Sequence, residues 1–534
     1  GTSVRKMIPL RRGVGYPQDF RNPQIDEIAE HYATRHFGAA KVELITENLH
    51  RSRISKQALE EDLMKYDRQF CPRVQDPVYE LALASVRREM TPKTPLIPLT
   101  LGGVEHHPDL TKNRSPGLPW KTQGYKTKAE VLADPQAVAT WHRKWDNIGR
   151  GRGNVHLPDT ALFLRAQIAR QGKEKIRAVW GFPIDVIVEE GRTFFPYLQW
   201  LKKETTPVAY GIEVATGGMG FVNDMLCEFP HSKYIVADWS EFDKTVPAWL
   251  IKDAFSIIMG AFDFTKVEDS TGLIWPVNEK QSHNRAKRVV SYFINTPIRL
   301  NDGRRYRKTG GVPSGSMFTN IIDSIVNMIV TRYVMYHTTG AMPLAEIYLG
   351  DDSVLVGNGH INLDDMASVA ERAFGMRLNR TKSYVTTEKH NVHFIGYYNR
   401  DGKPYKPQDF AIASFIFPER TMDEEDDALR VARAVGQMWS TMDGAQAATW
   451  WHIIQDLMIR GDVTESQVYE CILGSKGQFK YLKILGIALE DMYIPPNINE
   501  FVWKIEPPPV AKKRYKYRRI DCESIWRDLC AEVD

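Results

Sequence analysis

The sequence predicts an α+β fold in which an antiparallel sheet is backed by helices. Apolar runs at Ile347–Leu349 and Ser353–Val356 flank a Gly-Asp turn, which predicts a tight β-hairpin. The run Lys233–Asp238 predicts a further strand. Between these strands, one buried helical face is indicated by the spacing of Ile322, Ile325, Val326, Ile329 and Val330. A chain of 534 residues exceeds a single core and should divide into subdomains.

The tip of the predicted hairpin is Gly350-Asp351-Asp352. Adjacent carboxylates repel each other unless a cation neutralises them, so a divalent metal is the natural companion. Acidic turns are common, and this tripeptide alone is weak evidence of chemistry. Other acidic residues strengthen the interpretation.

Asp238 is the last residue of this predicted strand, and Asp243 follows five residues later. If Asp238 lies beside Asp351, the two would complete a site for two Mg²⁺ ions roughly 3.5–4 Å apart. Mg²⁺ prefers a few carboxylates together with water and substrate phosphates. The alternative is that Asp238 and Asp243 are helix caps or surface charges.

The segment from Thr309 to Thr319 predicts a flexible glycine-containing loop that runs into the helix. Thr319, Asp323 and Asn327 are spaced i, i+4, i+8 and share a second helical face, so they could point together at a sugar hydroxyl. A loop that merely caps a core helix would explain the glycines, but not three polar residues in register.

These three patterns, Asp-x4-Asp, then Ser-Gly-x3-Thr before a polar helix, then Gly-Asp-Asp, resemble motifs A, B and C of viral RNA-dependent RNA polymerases. The wording from Gly310 to Thr319, with Asp323 to Asn327 after it, is similar to the picobirnavirus and partitivirus polymerases in particular. The length fits the picobirnavirus polymerases best. The resemblance is tight over residues 231–356 and looser elsewhere.

The resemblance implies a closed right-hand polymerase with fingers, palm and thumb. The expected regions are 1–90 as an N-terminal region bridging fingers and thumb, 91–230 as fingers, 231–262 as palm with motif A, 263–307 as a segment returning to the fingers, 308–400 as palm with motifs B to E, and 401–534 as thumb with a basic C-terminal tail.

A basic stretch resembles motif F, which would cradle the incoming triphosphate. Its cations are Lys173, Lys175 and Arg177. They alternate in sequence, so on a strand all three would face one way. The alternative is a solvated charged strand.

A rigid, turn-rich loop at Thr111–Trp120 resembles motif G, which guides template entry. The residues expected to bind the template are Ser115, Pro116 and Gly117. A turn of this composition also needs no function.

Beyond the hairpin, Leu363–Phe374 has a helical pattern, and the segment after it resembles motif D. Lys382 would then be the general acid that protonates departing pyrophosphate. Arg380 is a rival, and a surface lysine is the alternative. Val392–Tyr398 resembles motif E, a strand pair that supports the nascent 3′ end.

The resemblance implies template-directed RNA synthesis from ribonucleoside triphosphates by a two-metal mechanism. Asp238, Asp351 and Asp352 would hold two Mg²⁺ ions, for which Mn²⁺ may substitute. The nucleotide would also contact the motif B and ribose-sensing residues Asp243, Ser314, Gly315, Thr319, Asp323 and Asn327. Many relatives carry Asn where this chain has Asp323, so the choice between Asp323 and Asn327 as ribose sensor stays open.

The wider expectation is a protein that replicates and transcribes a double-stranded RNA virus genome, with primer-independent initiation, in the virion interior and host cytoplasm. RNA template and product, nucleotides and viral capsid protein are the expected partners of a monomer. Net charge is only +4, so RNA affinity must come from local basic surfaces. Five scattered cysteines favour a reduced compartment and argue against structural zinc. No apolar run approaches membrane-spanning length, so no membrane partner is expected.

Near the C-terminus, Pro507–Pro509 predicts a rigid break. The segment Lys512–Arg519 interleaves basic residues with tyrosines, and could grip phosphates and stack on bases. A solvated tail is the alternative.

Two other functions are compatible with parts of this pattern. Reverse transcriptases share the palm and an Asp-Asp turn, but usually have an aromatic residue where this chain has Asp243, which favours ribonucleotides. A non-catalytic RNA-packaging subunit would rely on the basic tail, but a degenerate enzyme is expected to lose carboxylates that this chain keeps.

Overall fold

Twenty α-helices and eighteen strands occur in residues 7–475, 477–505 and 510–533, the part of the chain that the computed structural model describes. The strands are β1 Met7–Leu10, β2 Leu49–Arg51, β3 Thr160–Ala166, β4 Ile168–Arg170, β5 Ile176–Gly181, β6 Lys233–Ala237, β7 Trp239–Ser240, β8 Lys266–Glu268, β9 Ile274–Pro276, β10 Pro297–Arg299, β11 Arg305–Lys308, β12 Ala345–Leu349, β13 Asp352–Gly357, β14 Arg377–Leu378, β15 Tyr384–Thr386, β16 His393–Phe394, β17 Tyr397–Arg400 and β18 Lys403–Tyr405. The helices are α1 Glu27–Phe37, α2 Ala39–Asn48, α3 Lys56–Met64, α4 Pro77–Met90, α5 Leu101–Glu105, α6 Lys128–Leu132, α7 Pro135–Gly149, α8 Ile184–Lys203, α9 Gly218–Cys227, α10 Phe242–Thr245, α11 Ala248–Met259, α12 Glu279–Ile294, α13 Thr319–Thr339, α14 Leu363–Phe374, α15 Asp409–Ile416, α16 Asp427–Ser440, α17 Gly444–Gly461, α18 Glu465–Leu473, α19 Lys480–Ile484 and α20 Cys522–Val533.

The predicted hairpin and strand belong to one central sheet. Its order is β12-β13-β6-β15, and each pair of neighbours is antiparallel. Ser353 lies opposite Ala237 in the register of β13 and β6. One step further along that register, Asp352 and Asp238 therefore leave neighbouring strands at the same end of the sheet.

Helices cover both faces of the central sheet, because alternate side chains along a strand point to opposite faces. Ile235 and Leu355 belong to a core shared with α11, α13 and α14. Val236 and Val354 belong to a second core shared with α9, α16 and α17. The prediction of an antiparallel sheet backed by helices is confirmed, as are the helix over Leu363–Phe374 and the strand pair β16–β17.

A second sheet has the order β1-β11-β10-β3-β5. It joins the N-terminal strand to segments from two other parts of the chain, since β1 pairs with β11 and β3 pairs with β5. The last strand in this order, β5, carries Arg177. The loop that precedes α13 contacts β5 and so links the two sheets.

Residues near both ends of the described chain contact segments that are distant in sequence. Asp26 caps α1, and its carboxylate also accepts a hydrogen bond from the buried Arg430 of α16 at 2.8 Å. The C-terminal helix α20 packs against α4, where Asp528 forms an ion pair with Arg88. The predicted break at Pro507–Pro509 lies outside the described residues. Within the described ranges, no helix combines the length and apolarity needed to cross a membrane.

Candidate active site

The turn at Gly350-Asp351 is fixed from below by the first half of α13. Gly350 has φ +60°, and its N–H donates to Ser324 Oγ at 2.8 Å. Asn327 Nδ2 donates to the Gly350 carbonyl at 3.2 Å. A Cβ at Gly350 would lie 2.7 Å from Asn320 Oδ1, so only glycine fits here. Asp351 is therefore presented on a braced turn.

Asp238 is positioned by the loop that follows β14. Its N–H donates to Ser383 Oγ at 2.9 Å, and its carbonyl accepts from the Asn379 N–H at 2.7 Å. These bonds attach the strand end that carries Asp238 to the loop that carries Lys382. Neither positioning residue follows from a local sequence pattern.

The three acidic residues at the end of the central sheet act on one another electrostatically. Desolvation by the surrounding cleft, with repulsion from Asp243 and Asp238, raises the pKa of Asp351 to about 6. Burial, with repulsion from Asp351 and Asp238, raises the pKa of Asp352 to about 7. Desolvation also raises the pKa of Asp238. Asp351 nevertheless remains exposed to solvent, so a ligand can reach it.

Asp352 differs from its neighbour because one of its oxygens is already engaged. The Ile395 N–H, in the turn between β16 and β17, donates to Asp352 Oδ2 at 2.8 Å. Ile395 has φ +51°, an unfavourable conformation for a β-branched residue. Asp352 therefore ties the predicted motif E turn to the acidic site.

The donor chemistry of this site suits a hard divalent cation. Mutually repelling carboxylates are stabilised by such a cation, and Mg²⁺ is commonly held by one or two carboxylates plus substrate phosphates. Among the described residues, no group of three or more His, Cys, Asp or Glu side chains is arranged to hold a metal ion. The two carboxylates of Asp238 and Asp351 suit an ion that takes its other ligands from substrate and water.

A second acidic pair lies next to the first. The side chains of Asp243 and Asp323 form a hydrogen bond with each other. Two carboxyl groups can do so only if one of them carries a proton. Burial and the charge of Asp243 raise the pKa of Asp323 well above its ordinary value. Asp323 Oδ1 is buried and has no other hydrogen-bond partner within the described structure.

The structure gives Thr319, Asp323 and Asn327 different partners, and a common target for the three stays a prediction. Thr319 Oγ1 donates to the Pro313 carbonyl at the start of its own helix. Asn327 Oδ1 accepts from Trp239 Nε1 at 3.1 Å, while its amide nitrogen holds Gly350. Of the three, only Asp323 faces Asp243. Each step of four residues along a helix also turns slightly around its axis, so over two steps the three side chains meet different neighbours.

The loop before α13 is pressed against β5. Ser314 Oγ donates to the Ala178 carbonyl at 3.1 Å. A Cβ at Gly315 would lie 1.7 Å from the Trp180 carbonyl oxygen, which requires glycine. Thus Ser314 and Gly315 dock the predicted motif B loop onto the predicted motif F strand.

Glu190 is a site-supporting residue that sequence reasoning missed. It is buried in α8, where its carboxyl accepts hydrogen bonds from Ser316 Oγ and from the Met317 N–H. Burial raises the pKa of Glu190 to about 8. The only signal in the sequence was an acidic pair, Glu189-Glu190, inside an otherwise apolar helix.

The expectation of three cations on one strand face is wrong. The strand begins at Ile176, so only Arg177 belongs to it. Lys173 lies in the turn after β4, a strand that pairs with β2. The Lys173 carbonyl contacts His50 Nε2 at 2.6 Å. Electrostatically, Arg177 acts on Asp243 and Asp351, and Lys175 acts on Asp238. Two of the three cations therefore face the acidic residues.

Lys382 and its rival Arg380 have different surroundings. Arg380 Nε donates to Asp364 Oδ1 at 2.6 Å, an exposed ion pair on α14. Lys382 is exposed, and its charge is the largest electrostatic influence that lowers the pKa of Asp238. The lysine, not the arginine, is the cation at the acidic site.

The predicted motif G residues are mostly structural. Pro116 and Gly117 are buried against the start of α8, where the Pro116 carbonyl accepts from the Ile184 N–H at 2.9 Å. Gly117 has φ +74°. Ser115 is exposed, whereas the buried Pro116 and Gly117 shape the turn; template binding by these three residues stays a prediction.

Four cations gather where this loop, β3 and α19 meet, and one of them, Arg165, forms an ion pair with Glu419. They are Arg114, Lys128, Arg165 and Lys480. Desolvation and repulsion from Arg114 and its neighbours lower the pKa values of Lys128 and Lys480 to about 8. Arg177 adds to the repulsion at Lys480. Such crowding of like charges favours a bound polyanion.

Comparison with known proteins places the chain in one family. A family model described as viral RNA-dependent RNA polymerase matches residues 28–409. The RNA-directed RNA polymerase of White clover cryptic virus 1 is 24% identical over 353 residues, which cover 60% of this chain and 56% of that protein. The RNA-directed RNA polymerase of Cryptosporidium parvum virus 1 is 32% identical over 253 residues, which cover 46% of this chain and 43% of that protein. The chain thus matches about half the length of each.

Solved structures show the same fold. The crystal structure of the RNA-dependent RNA polymerase of a human picobirnavirus superposes with a TM-score of 0.60 at 16% identity, covering 88% of this chain and 94% of that one. The expected right-hand fold is confirmed.

Proposed function

The chain belongs to the viral RNA-dependent RNA polymerase family, and from this premise we propose that it copies RNA templates into RNA from ribonucleoside triphosphates. The observation that carries the proposal is the convergence of Asp238 and Asp351, which come from separate parts of the chain and meet at one end of the β13–β6 pair, where the charge of Asp238 raises the pKa of Asp351. Arg177 and Lys382 provide positive charge at the same place.

Asp238 and Asp351 would hold two Mg²⁺ ions, and Mn²⁺ may substitute for them. Bound there, such ions would lower the pKa of the attacking 3′-hydroxyl and stabilise the leaving pyrophosphate. Asp352 holds the turn at Ile395, which keeps the acidic residues aligned with the predicted 3′-end support. Arg177 orients the triphosphate, with Lys175 beside it. Lys382 holds the proton that the departing pyrophosphate takes up.

The acidic pair of Asp243 and Asp323 would select ribose. With one shared proton, the pair offers both a donor and an acceptor, as an Asp–Asn pair does. The unpartnered Asp323 Oδ1 is suited to accept a hydrogen bond from a 2′-hydroxyl. Asn327 is engaged by Trp239 and Gly350, which favours Asp323 as the sensor. Ser314, Gly315 and Thr319 keep the loop beside this pair.

The family resemblance also supports a proposal about the biological role of the protein. The protein would replicate and transcribe a double-stranded RNA virus genome as a monomer, by primer-independent initiation, in the virion interior and host cytoplasm and in contact with capsid protein. Ser115 and the cations around Lys480 would guide the template, and Lys173 would contribute at the rim of the nucleotide entrance.

Nucleotide incorporation by the purified chain tests the activity. A short RNA template is supplied with Mg²⁺ and either ribonucleotides or deoxyribonucleotides. We expect template-dependent extension with ribonucleotides. A preference for deoxyribonucleotides would assign a reverse transcriptase instead. RNA binding without synthesis, under Mg²⁺ and under Mn²⁺, would assign a packaging subunit.

A further inference from the structure

The C-terminal segment of residues 510–519, here called the strap, is fixed to the body of the protein by one half-buried lysine. Lys513 Nζ donates to the carbonyls of Leu201 at 2.6 Å and Tyr210 at 2.7 Å, and also to that of Glu204. A Cβ at Gly211 would lie 3.0 Å from Lys513 Cε. The lysine thus caps carbonyl groups at the C-terminal end of α8, and these bonds fix the path of the strap.

The tyrosines of the strap also point inward. Tyr515 packs edge-on against Phe221 of α9, with ring centroids 5.8 Å apart. Tyr517 packs against Phe229 at 5.6 Å but remains 51% exposed. Beyond the strap, α20 is anchored on α4 by the buried Ile525. The aromatic residues therefore serve mainly as anchors, while about half of the Tyr517 surface stays open to solvent.

The remaining cations of the strap face outward. Burial alternates residue by residue from Ala511 to Lys516, which places Lys513 and Tyr515 inside. The exposed cations are Lys512, Arg514, Lys516, Arg518 and Arg519. Within the described residues, none of these five side chains forms an ion pair. Five uncompensated charges are notable in a chain whose net charge is only +4.

We propose that the outward face of the strap binds the phosphate backbone of single-stranded RNA outside the catalytic cleft. Alternate side chains in extended backbone lie about 6–7 Å apart, a spacing that successive phosphates of a single strand can match. The half-exposed Tyr517 between cations offers a base-stacking surface, the second element of sequence-independent RNA grooves. The strap runs over α9, which separates it from the central sheet, so this site is distinct from the proposed active site. RNA is chosen over an acidic protein because of the ring and because of the proposed function.

The test measures RNA binding by the full chain. The strap variant carries Lys512→Gln, Arg514→Gln, Lys516→Gln, Arg518→Gln and Arg519→Gln. The control variant loses the same number of exposed lysines and arginines elsewhere, through Lys93→Gln, Arg143→Gln, Arg150→Gln, Lys252→Gln and Arg372→Gln. Binding of a fluorescent oligouridylate is followed by anisotropy between about 50 mM and about 200 mM salt.

For the strap variant we expect at least about tenfold weaker binding at the lower salt concentration and a salt slope reduced by about 2–3, since each phosphate contact contributes about 0.7. The control variant should match the wild type. Equal affinity and slope in the strap and control variants would overturn the proposal. A loss confined to duplex RNA would overturn the single-strand assignment, and a loss confined to polyglutamate binding would assign an acidic protein partner instead.

Nucleotide incorporation at saturating short template separates this proposal from the proposed function. The strap variant should extend such a template at the wild-type rate, because its substitutions lie outside the cleft. Weaker RNA binding with normal extension supports a separate RNA surface. A loss of extension equal to the loss of binding would show that the strap feeds the catalytic cleft and would overturn its independence.

Discussion

Two acidic pairs lie side by side in this protein, and they differ in how their charge is neutralised. Asp238 and Asp351 end neighbouring strands, and Asp351 is exposed to solvent. Asp243 and Asp323 lie deeper, and a hydrogen bond joins their side chains. The first pair can be neutralised by a cation brought with the substrate, whereas the second is neutralised by a proton. The same residue type is therefore proposed to bind a metal in one place and forms a hydrogen bond in the other.

The largest effect should come from the open pair. Asp351→Asn removes one negative charge from the cation site, so we expect nucleotide incorporation to fall by at least about 10³-fold, or about 4 kcal/mol of transition-state stabilisation. Single-nucleotide extension measures this change. The exposed Asp365→Asn on α14 is the matched control and should retain activity. Wild-type extension by Asp351→Asn with an unchanged melting temperature would refute the cation assignment.

Lys382 offers a second test of the open pair, because its charge is the largest electrostatic influence that lowers the pKa of Asp238. Lys382→Leu removes a proton donor for pyrophosphate, so we expect kcat to fall by about 10²-fold with little change in KM. Arg380→Leu should have a small effect, since Arg380 pairs with Asp364. If the arginine variant loses more activity than the lysine variant, the roles are reversed.

The role of the buried pair in ribose selection can be tested by replacing Asp323 with a residue that either loses or keeps a neutral hydrogen-bonding group. Asp323→Ala should reduce the preference for ribonucleotides over deoxyribonucleotides by about tenfold, as expected for one lost hydrogen bond. Asp323→Asn keeps a neutral hydrogen-bonding group and should retain the preference.

The proton in this pair also predicts a pH effect. Since burial and Asp243 raise the pKa of Asp323, an alkaline pH removes the shared proton, and ribose selection should weaken in the wild type but not in Asp323→Asn. The ratio of kcat/KM for the two nucleotides measures this. An unchanged ratio in Asp323→Ala would exclude the pair from ribose selection.

Glu190 extends the comparison to a buried acid outside both pairs, and its effect should appear in stability. Burial raises its pKa from 4.5 to about 8, so the folded state binds this proton more tightly than the unfolded state. The free energy of unfolding should therefore fall as the pH rises through that window, by up to about 1.4 kcal/mol per pH unit. Melting temperatures at about pH 5 and about pH 8 measure the fall. Glu190→Gln should flatten it, and an equal fall in both proteins would contradict the assignment.

The extent of the sequence-based prediction follows the range of the interactions involved. The hairpin around Gly350-Asp351, the strand before Asp238 and the helix Leu363–Phe374 were predicted correctly, because turn residues and apolar periodicity act locally. The row of Lys173, Lys175 and Arg177 was predicted wrongly, because β4 pairs with β2 and turns the chain before β5 begins. Glu190 was missed because its partners are more than a hundred residues away in sequence.

The sequence by itself determined the family and the main secondary structure and predicted which aspartates form the site, since a few closely spaced motifs carry that information. Only the tertiary structure decided which groups face one another: Asp323 meets Asp243, Asn327 holds Gly350, and Lys513 anchors the strap beneath Tyr210. The physical reason is that these contacts depend on how helices and sheets pack, and packing joins residues whose separation along the chain carries no periodic signal.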